Sequence, residues 1–365
     1  MERGTSYVVR DSRQTMRMLT ILFLVVGSIT VAPIVAAEMT VGAGAPSPTS
    51  VRPALPPINR PVMFNTPEAD RILEVLQVFP PDNPWNEEIS QWAVHSNSQN
   101  IIASIGAEKP LRYNPDMAFI LVPPDQKRVS VKILSYAGES DIAPFPITDN
   151  LPIEGWPASY KKSRKHTALS LEDVQRDKMK EGGDRHAIIV DPVNLLLFEL
   201  YQARKTDEGW VAAQTSIFNL KSNKLRPDGW TSTDAAGLPI FPAIVRYDEL
   251  QRGMVEHAMR VTVKRSRRAY VSPATHFASR LGDPNLPRMG ERLRLKQDFD
   301  VTPFSPPVQA ILKGLKKHGM FVADNGIDWA ISVAPDERIP LLHENSAVSK
   351  APPSRSSSGQ SETRC

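Results

Sequence analysis

Residues 183–203 read GDRHAIIVDPVNLLLFELYQA, and this stretch constrains the fold of the chain more than any other. Two apolar runs of strand length flank Asp191, Pro192 and Asn194, residue types that punctuate strands. Among the aliphatics stand Asp184, His186, Asp191 and Glu199. An ionisable group buried without a partner is strongly unfavourable, so these four must be paired, solvated in a cleft, or used in chemistry. Period-two alternation puts Asp184, His186, Ile188 and Val190 on one face of the first run. It puts Leu195, Leu197, Glu199 and Tyr201 on one face of the second. If the two runs pair, one sheet face mixes His186 and Glu199 with aliphatics, as a substrate cleft on a sheet would. The plainer reading is a hydrogen-bonded core histidine and a glutamate paired with an arginine.

Further strand signals recur at short spacing over residues 118–122, 129–136, 210–220, 258–263 and 270–272. They are rich in β-branched and aromatic residues and punctuated by Pro, Gly, Asn or Asp. The pattern predicts a mainly β chain: an antiparallel β-sandwich or jelly-roll-like core with a few peripheral α-helices. Two helices are expected. Thr66-Pro67 opens one, and Ser305-Pro306 opens another. The second carries the stripe Val308, Ile311, Leu312, Leu315, with Lys316 and Lys317 in its last turn and Gly319 at its stop. Asn325-Gly326 predicts a hairpin.

The ends have a different composition. Residues 18–37 are apolar, follow Arg10, Arg13 and Arg17, and finish in Val35-Ala36-Ala37, so residues 1–37 read as a signal peptide. Met16 would open a compact version of it, and an uncleaved membrane anchor is the alternative. Residues 38–62 read as a Pro-rich flexible linker, 63–345 as a single β-rich globular domain, and 346–365 as a disordered tail. The implied location is secreted or periplasmic, with membrane contact only through an uncleaved signal sequence. Setting aside residues 1–37 removes Arg3, Arg10, Arg13 and Arg17 against Glu2 and Asp11, which brings the formal charge of +4 closer to neutral. Nucleic acid is therefore not an expected partner. The single cysteine, Cys365, rules out a disulfide network within the chain and, in practice, a thiolate metal site.

Two further constellations carry candidate chemistry. Residues 226–250, RPDGWTSTDAAGLPIFPAIVRYDEL, pack Trp230, Asp234, Arg246 and Tyr247 into a mostly irregular segment. Trp230 could stack on a sugar ring, and Asp234 could act as a carboxylate. The alternative is a packed loop between sheets. His257 and His276, each at the end of a strand-like run, join His186 as possible imidazole bases. No metal is assigned, because no H-x-H or HExxH spacing occurs. Glu139, Asp141, Glu154 and Trp156 lie among prolines and could wall a cleft. No GxSxG or phosphate-loop pattern is present.

Blocks such as FPPDNPWNEEIS, DRHAIIVD, LFELYQA, SNKLRPDGWTSTDAAGLPIFPAIVRYDE, HAMRVTV, AYVSPATHFAS and HGMFVADNG resemble those of a largely uncharacterised family of secreted bacterial proteins. Members of that family often occur beside carbohydrate-binding or polysaccharide-processing modules. The resemblance covers about Phe79 to Arg338 and implies a polysaccharide or oligosaccharide as the partner. It supplies no catalytic residues.

The function expected is that of a secreted glycan-active protein, a polysaccharide hydrolase or lyase. Glu199 is the first carboxyl, with Asp191 or Asp234 as its partner, and His186 and His257 are further catalytic candidates. Trp230, Arg246, Tyr247 and His276 are the substrate-binding candidates. In the lyase version His257 or Tyr247 removes the proton and Arg246 neutralises a uronate. The rival is a non-catalytic carbohydrate-binding or cell-envelope structural protein. Cofactor and oligomeric state stay open at this level.

Overall fold

The structure, a computed structural model, describes residues 53–157, 160, 169–180, 182–340 and 362–364. The expected signal peptide and most of the linker and tail lie outside the described residues. Strand outweighs helix, as the punctuated β-branched runs predict.

The two runs of residues 183–203 form β5 (Ala187–Asp191) and β6 (Leu196–Tyr201), which pair antiparallel with Ile188 opposite Glu199. They sit inside a five-stranded sheet. β1 (Val62–Met63) and β3 (Phe119–Leu121) lie on one side, and β9 (Gln214–Asn219) lies beyond β6. This first sheet is buried on both faces. Phe119, Leu121, Ile188, Val190 and Leu197 enter the larger core, whereas Ile120, Ala187, Ile189, Phe198 and Leu200 enter a smaller one. The alternation read from the sequence is therefore present, but both of its faces are apolar.

A small sheet covers the smaller core: β4 (Val131–Ile133), β8 (Gly209–Ala212) and β7 (Arg204–Thr206). Phe145, Ile147, Leu151 and Ile153 fill the space between. Across the larger core lies a sheet built on β10 (Met259–Val263). Its order is β14 (Glu362–Arg364), β11 (Arg292–Arg294), β12 (Met320–Asn325), β10, β13 (Ala330–Val333) and β2 (Arg112–Pro115).

The structure departs from the sequence reading in two respects. The sheets are not antiparallel; each is mixed, with parallel pairs β3–β5, β10–β12, β13–β2 and β4–β8. Parallel pairs need long crossovers, and the Pro-rich stretches that read as turns serve as those crossovers. Nor does Asn325-Gly326 form a hairpin. β10 lies between β12 and β13 and bonds to both. The turn wraps over the end of β10: Gly326 N donates to Val263 O at 2.9 Å and Trp329 N to Thr262 O at 3.1 Å.

Both expected helices form. α1 (Pro67–Val75) is capped by Thr66, whose hydroxyl accepts from Ala69 N. Among the described residues, three shorter ones were not expected: α2 (Ser98–Ile105), α3 (Leu171–Gln175) and α4 (Tyr247–Arg252). α3 is announced by a Ser170–Asp173 capping box. α5 (Pro306–Lys317) buries Val308, Ile311, Leu312 and Leu315 and stops at Gly319, whose φ is +67°.

Candidate active site

Where the two larger sheets meet, acidic side chains gather around one arginine. Arg260 on β10 is 4 % exposed and donates from Nε and Nη2 to both carboxylate oxygens of Asp234, at 2.8 and 2.7 Å. Its Nη1 donates to Ser332 Oγ on β13 at 2.8 Å, and Asp324 on β12 stands 4.0 Å away. Burial opposes the guanidinium charge, but the Asp234 carboxylate outweighs it and holds the pKa of Arg260 above its ordinary value.

Further acids surround this pair. Asp116, at the end of β2, is pushed well above the carboxylate range, first by burial and then by the charge of Glu154. Asn114 Nδ2 donates to its Oδ2, while among the described residues no partner meets its buried Oδ1. Glu154 is also raised by burial, although His186 N donates to its Oε2 at 3.1 Å. Asp324 keeps a side chain 29 % exposed, and its pKa is pushed up to about 7 by burial and by the charge of Asp234. Asp184 is exposed and accepts from Tyr201 Oη at 3.4 Å.

His186 lies among these acids, 4 % exposed, its ring 5.6 Å from that of Tyr201. Burial lowers its pKa to about 4, so the imidazole is neutral at pH 7. Among the described residues, no partner meets its Nδ1. Tyr201 is pushed up to about 12 by burial and by Asp184, with a smaller contribution from Tyr136.

A rigid turn presents Tyr136, 53 % exposed, near Tyr201. Ser140 Oγ donates to Tyr136 O, and the neighbouring Glu139 is tied down from three sides. Arg226 Nη2 and Gln214 Nε2 donate to its carbonyl, and Thr231 N donates to its carboxylate. Arg226 also pairs with Asp141 at 2.6 Å and lies over the half-buried Trp230 ring at 5.5 Å.

The remaining sequence candidates take other places. Glu199 is fully buried, and Thr233 Oγ1, Ile240 N and Phe241 N donate to it, each at 2.9 Å. It holds the loop that carries Asp234 rather than facing a cleft. Asp191 lies at the far end of β5, about 16 Å from His186 at strand rise. Its carboxylate closes the β5–β6 turn by accepting from Val193 N, Asn194 N and Asn194 Nδ2.

Arg246, Tyr247 and His257 belong to a different network beside α4. Arg246 pairs with Glu249 at 2.9 Å, and His257 Nε2 with the same carboxylate at 3.0 Å. Burial would raise Glu249, but Arg246 and His257 pull it down to about 2. Tyr247 lies under the Arg338 guanidinium, 4.0 Å from its ring. His276 is half-buried, bonded through Nδ1 to Ala235 O at 2.9 Å and stacked on Phe277.

Of the catalytic and substrate-binding candidates, then, Asp234 and His186 share the cluster, and Asp184 and Glu154, also singled out in the sequence, join them. Asp116, Asp324, Arg260 and Tyr136 were missed as functional. Arg260 carried the same signal as Glu199, a charge inside a buried strand, and Asp324 adjoins Asn325-Gly326, which was read only as a hairpin turn. Comparison with protein-family models, with curated proteins and with solved structures finds no match to this chain, so the site rests on its geometry alone.

Proposed function

We propose that the chain is a glycan hydrolase, exported on the reading of residues 1–37, whose active site is the acidic cluster at the junction of the two larger sheets. The observation that carries this reading is a set of carboxyl groups raised by burial around a bound arginine, one of them, Asp324, partly open to solvent. Glycoside hydrolysis needs one carboxyl that is still protonated near neutral pH and a second that is a base or nucleophile. Asp324 takes the first role and passes its proton to the glycosidic oxygen as the bond to the anomeric carbon breaks. Asp184, exposed and close enough to act on Asp324 electrostatically, takes the second: it accepts a proton from the water whose oxygen forms the new bond to that carbon.

Hydrolysis is favoured over elimination by the charge of the site. A lyase must neutralise a uronate carboxylate, and both Asp234 oxygens occupy the nearest guanidinium, Arg260. The exposed Tyr136, near Tyr201, suits stacking on a sugar ring. An exposed aromatic of this kind would also serve a binding module, the reading the test must separate.

The test follows reducing ends and the ultraviolet absorbance of unsaturated ends on a panel of polysaccharides. Reducing ends without absorbance are expected. Asp324→Asn should lower the rate about 100- to 10,000-fold while the fold is retained. The wild-type rate should fall as pH rises through about 7, because the proton donor is lost there. Binding without products from any polymer would leave the carbohydrate-binding reading standing instead.

A further inference from the structure

Beyond the end of β10 the chain carries cationic side chains that the acidic cluster does not use. Lys264, Arg265 and Arg268 are exposed, and Arg267 is half-buried. Arg280, also exposed, is brought beside them, because Arg268 N donates to Leu281 O at 2.7 Å. Lys264 to Arg268 covers at most about 14 Å of chain, so these charges crowd one small surface. Among the described residues, no carboxylate pairs with any of the five side chains. The acids at the border are engaged elsewhere: Asp328 with Lys109 at 2.7 Å, and Asp228 with Tyr270 Oη at 2.7 Å. Like charges gathered without counter-charges repel one another and attract anions. The Arg268 guanidinium is seated 5.7 Å from the centre of the Phe277 ring, and that ring stacks with His276 and Tyr270.

This surface adjoins the acidic cluster at two points. Asn325, next to Asp324, accepts from Ser266 Oγ through Oδ1 and donates from Nδ2 to Ala278 O, each at 2.8 Å. His276 Nδ1 bonds to Ala235 O at 2.9 Å, one residue from Asp234.

We propose that this basic surface binds an acidic polysaccharide, its arginines taking the carboxylate or sulfate groups of sugar units that flank the bond cleaved beside Asp324. The inference rests on the hydrolase reading and names its substrate class. A guanidinium offers paired N–H donors that match the oxygens of such groups, and one seated on an aromatic ring is already oriented to use them. A cationic glycan would meet only repulsion here. Single-stranded nucleic acid also seeks basic surfaces, but it needs free aromatic faces on which to stack its bases. Phe277 already stacks with Arg268, His276 and Tyr270, and the Tyr270 hydroxyl is bound to Asp228.

The experiment is calorimetric titration of the full chain with polygalacturonate, dextran sulfate, dextran and poly(U), with reducing ends measured in parallel. Polygalacturonate or dextran sulfate should bind about 10-fold or more tighter than dextran, with the advantage shrinking as salt rises. Which of the two binds tells carboxylate from sulfate. Replacing Arg265, Arg268 and Arg280 together by Ala should remove the advantage while the thermal midpoint holds, since these side chains are exposed. Arg280→Gln alone should weaken binding about 2- to 5-fold even if the triple variant fails to fold. Arg71→Ala, Lys127→Ala and Lys313→Ala together remove the same charge from exposed positions elsewhere and should leave the advantage intact. Equal loss in both triple variants would reduce the effect to net charge and overturn the proposal. So would equal binding of acidic and neutral polymers, or tighter binding of poly(U) than of either acidic polysaccharide. Cleavage of dextran with no preference for an acidic polymer would overturn it and leave the hydrolase reading standing. Binding of an acidic polymer that the arginine variant loses, without cleavage of any polymer, would uphold it and reject the hydrolase reading alone.

Discussion

Glu199 is a carboxyl held inside the larger core by three donors, with no cation paired to it among the described residues. Burial wins over those hydrogen bonds and pushes its pKa up to about 7 from 4.5. A carboxyl raised on folding contributes stability when protonated. That contribution is complete below about 4.5 and is lost as pH rises through about 7. Glu199→Gln should therefore flatten the pH dependence of stability between these limits by about 3 kcal/mol, read from urea melts at pH 5 and pH 8. The amide still accepts from Ile240 N and Phe241 N, and Thr233 can turn its hydroxyl to accept. Glu199→Ala strips two backbone N–H groups of their partner and should cost about 3 kcal/mol or more at either pH.

At the level of elements, the contact of α5 with the segment leading into β10 shows how close the packing is. A Cβ on Gly314 would stand 2.6 Å from Val255 O and 2.9 Å from the Met259 methyl. Replacing a helical glycine by alanine gains about 1 kcal/mol of propensity. A clash with a backbone carbonyl costs about 1–3 kcal/mol and cannot be relieved by a rotamer change. The clash should win, so Gly314→Ala is expected to lower the thermal midpoint. A raised midpoint would show that α5 can shift outward.

Elements were legible in the sequence where one local signal decided them. Thr66-Pro67 and Ser305-Pro306 marked helix starts, and the alternation in 187–190 and 195–201 gave the facing of His186 and Glu199. Pairing was not legible, because the partner of a strand here is seldom its neighbour in sequence. Asn325-Gly326 had every local feature of a hairpin, but nothing nearby could show that β10 occupies the slot between its arms. The site was half legible for the same reason. His186 and Asp234 stood out as charges in apolar or irregular surroundings, whereas Asp116 and Asp324 matter only for what distant strands bring beside them.

For the molecule as a whole, the loop of residues 233–241 joins the two large sheets. Glu199 anchors it to the first, while Asp234 bound to Arg260, together with Ala236 N donating to Ala323 O, anchors it to the second. The two ends of the ion pair should not be equally costly to remove. Asp234→Asn leaves Arg260 among other carboxyls and should cost about 1–3 kcal/mol. Arg260→Met leaves Asp116, Glu154, Asp234 and Asp324 with no guanidinium between them and should cost about 3–5 kcal/mol. Chemical denaturation of the two variants tests this, and equal costs would mean that the surrounding acids do not feel Arg260.

The placement of β10 between β12 and β13 also sets an order of events in time. Within its sheet, β2 bonds only to β13, about 200 residues further along the chain, and β10 finds its two neighbours only after residues 320–333 have been made. A chain that emerges N-terminus first therefore cannot close this sheet while it is being synthesised. Asp116, Arg260 and Asp324 come together in one of the last steps. The acidic site is thus a late product of folding, assembled only once nearly the whole chain is present.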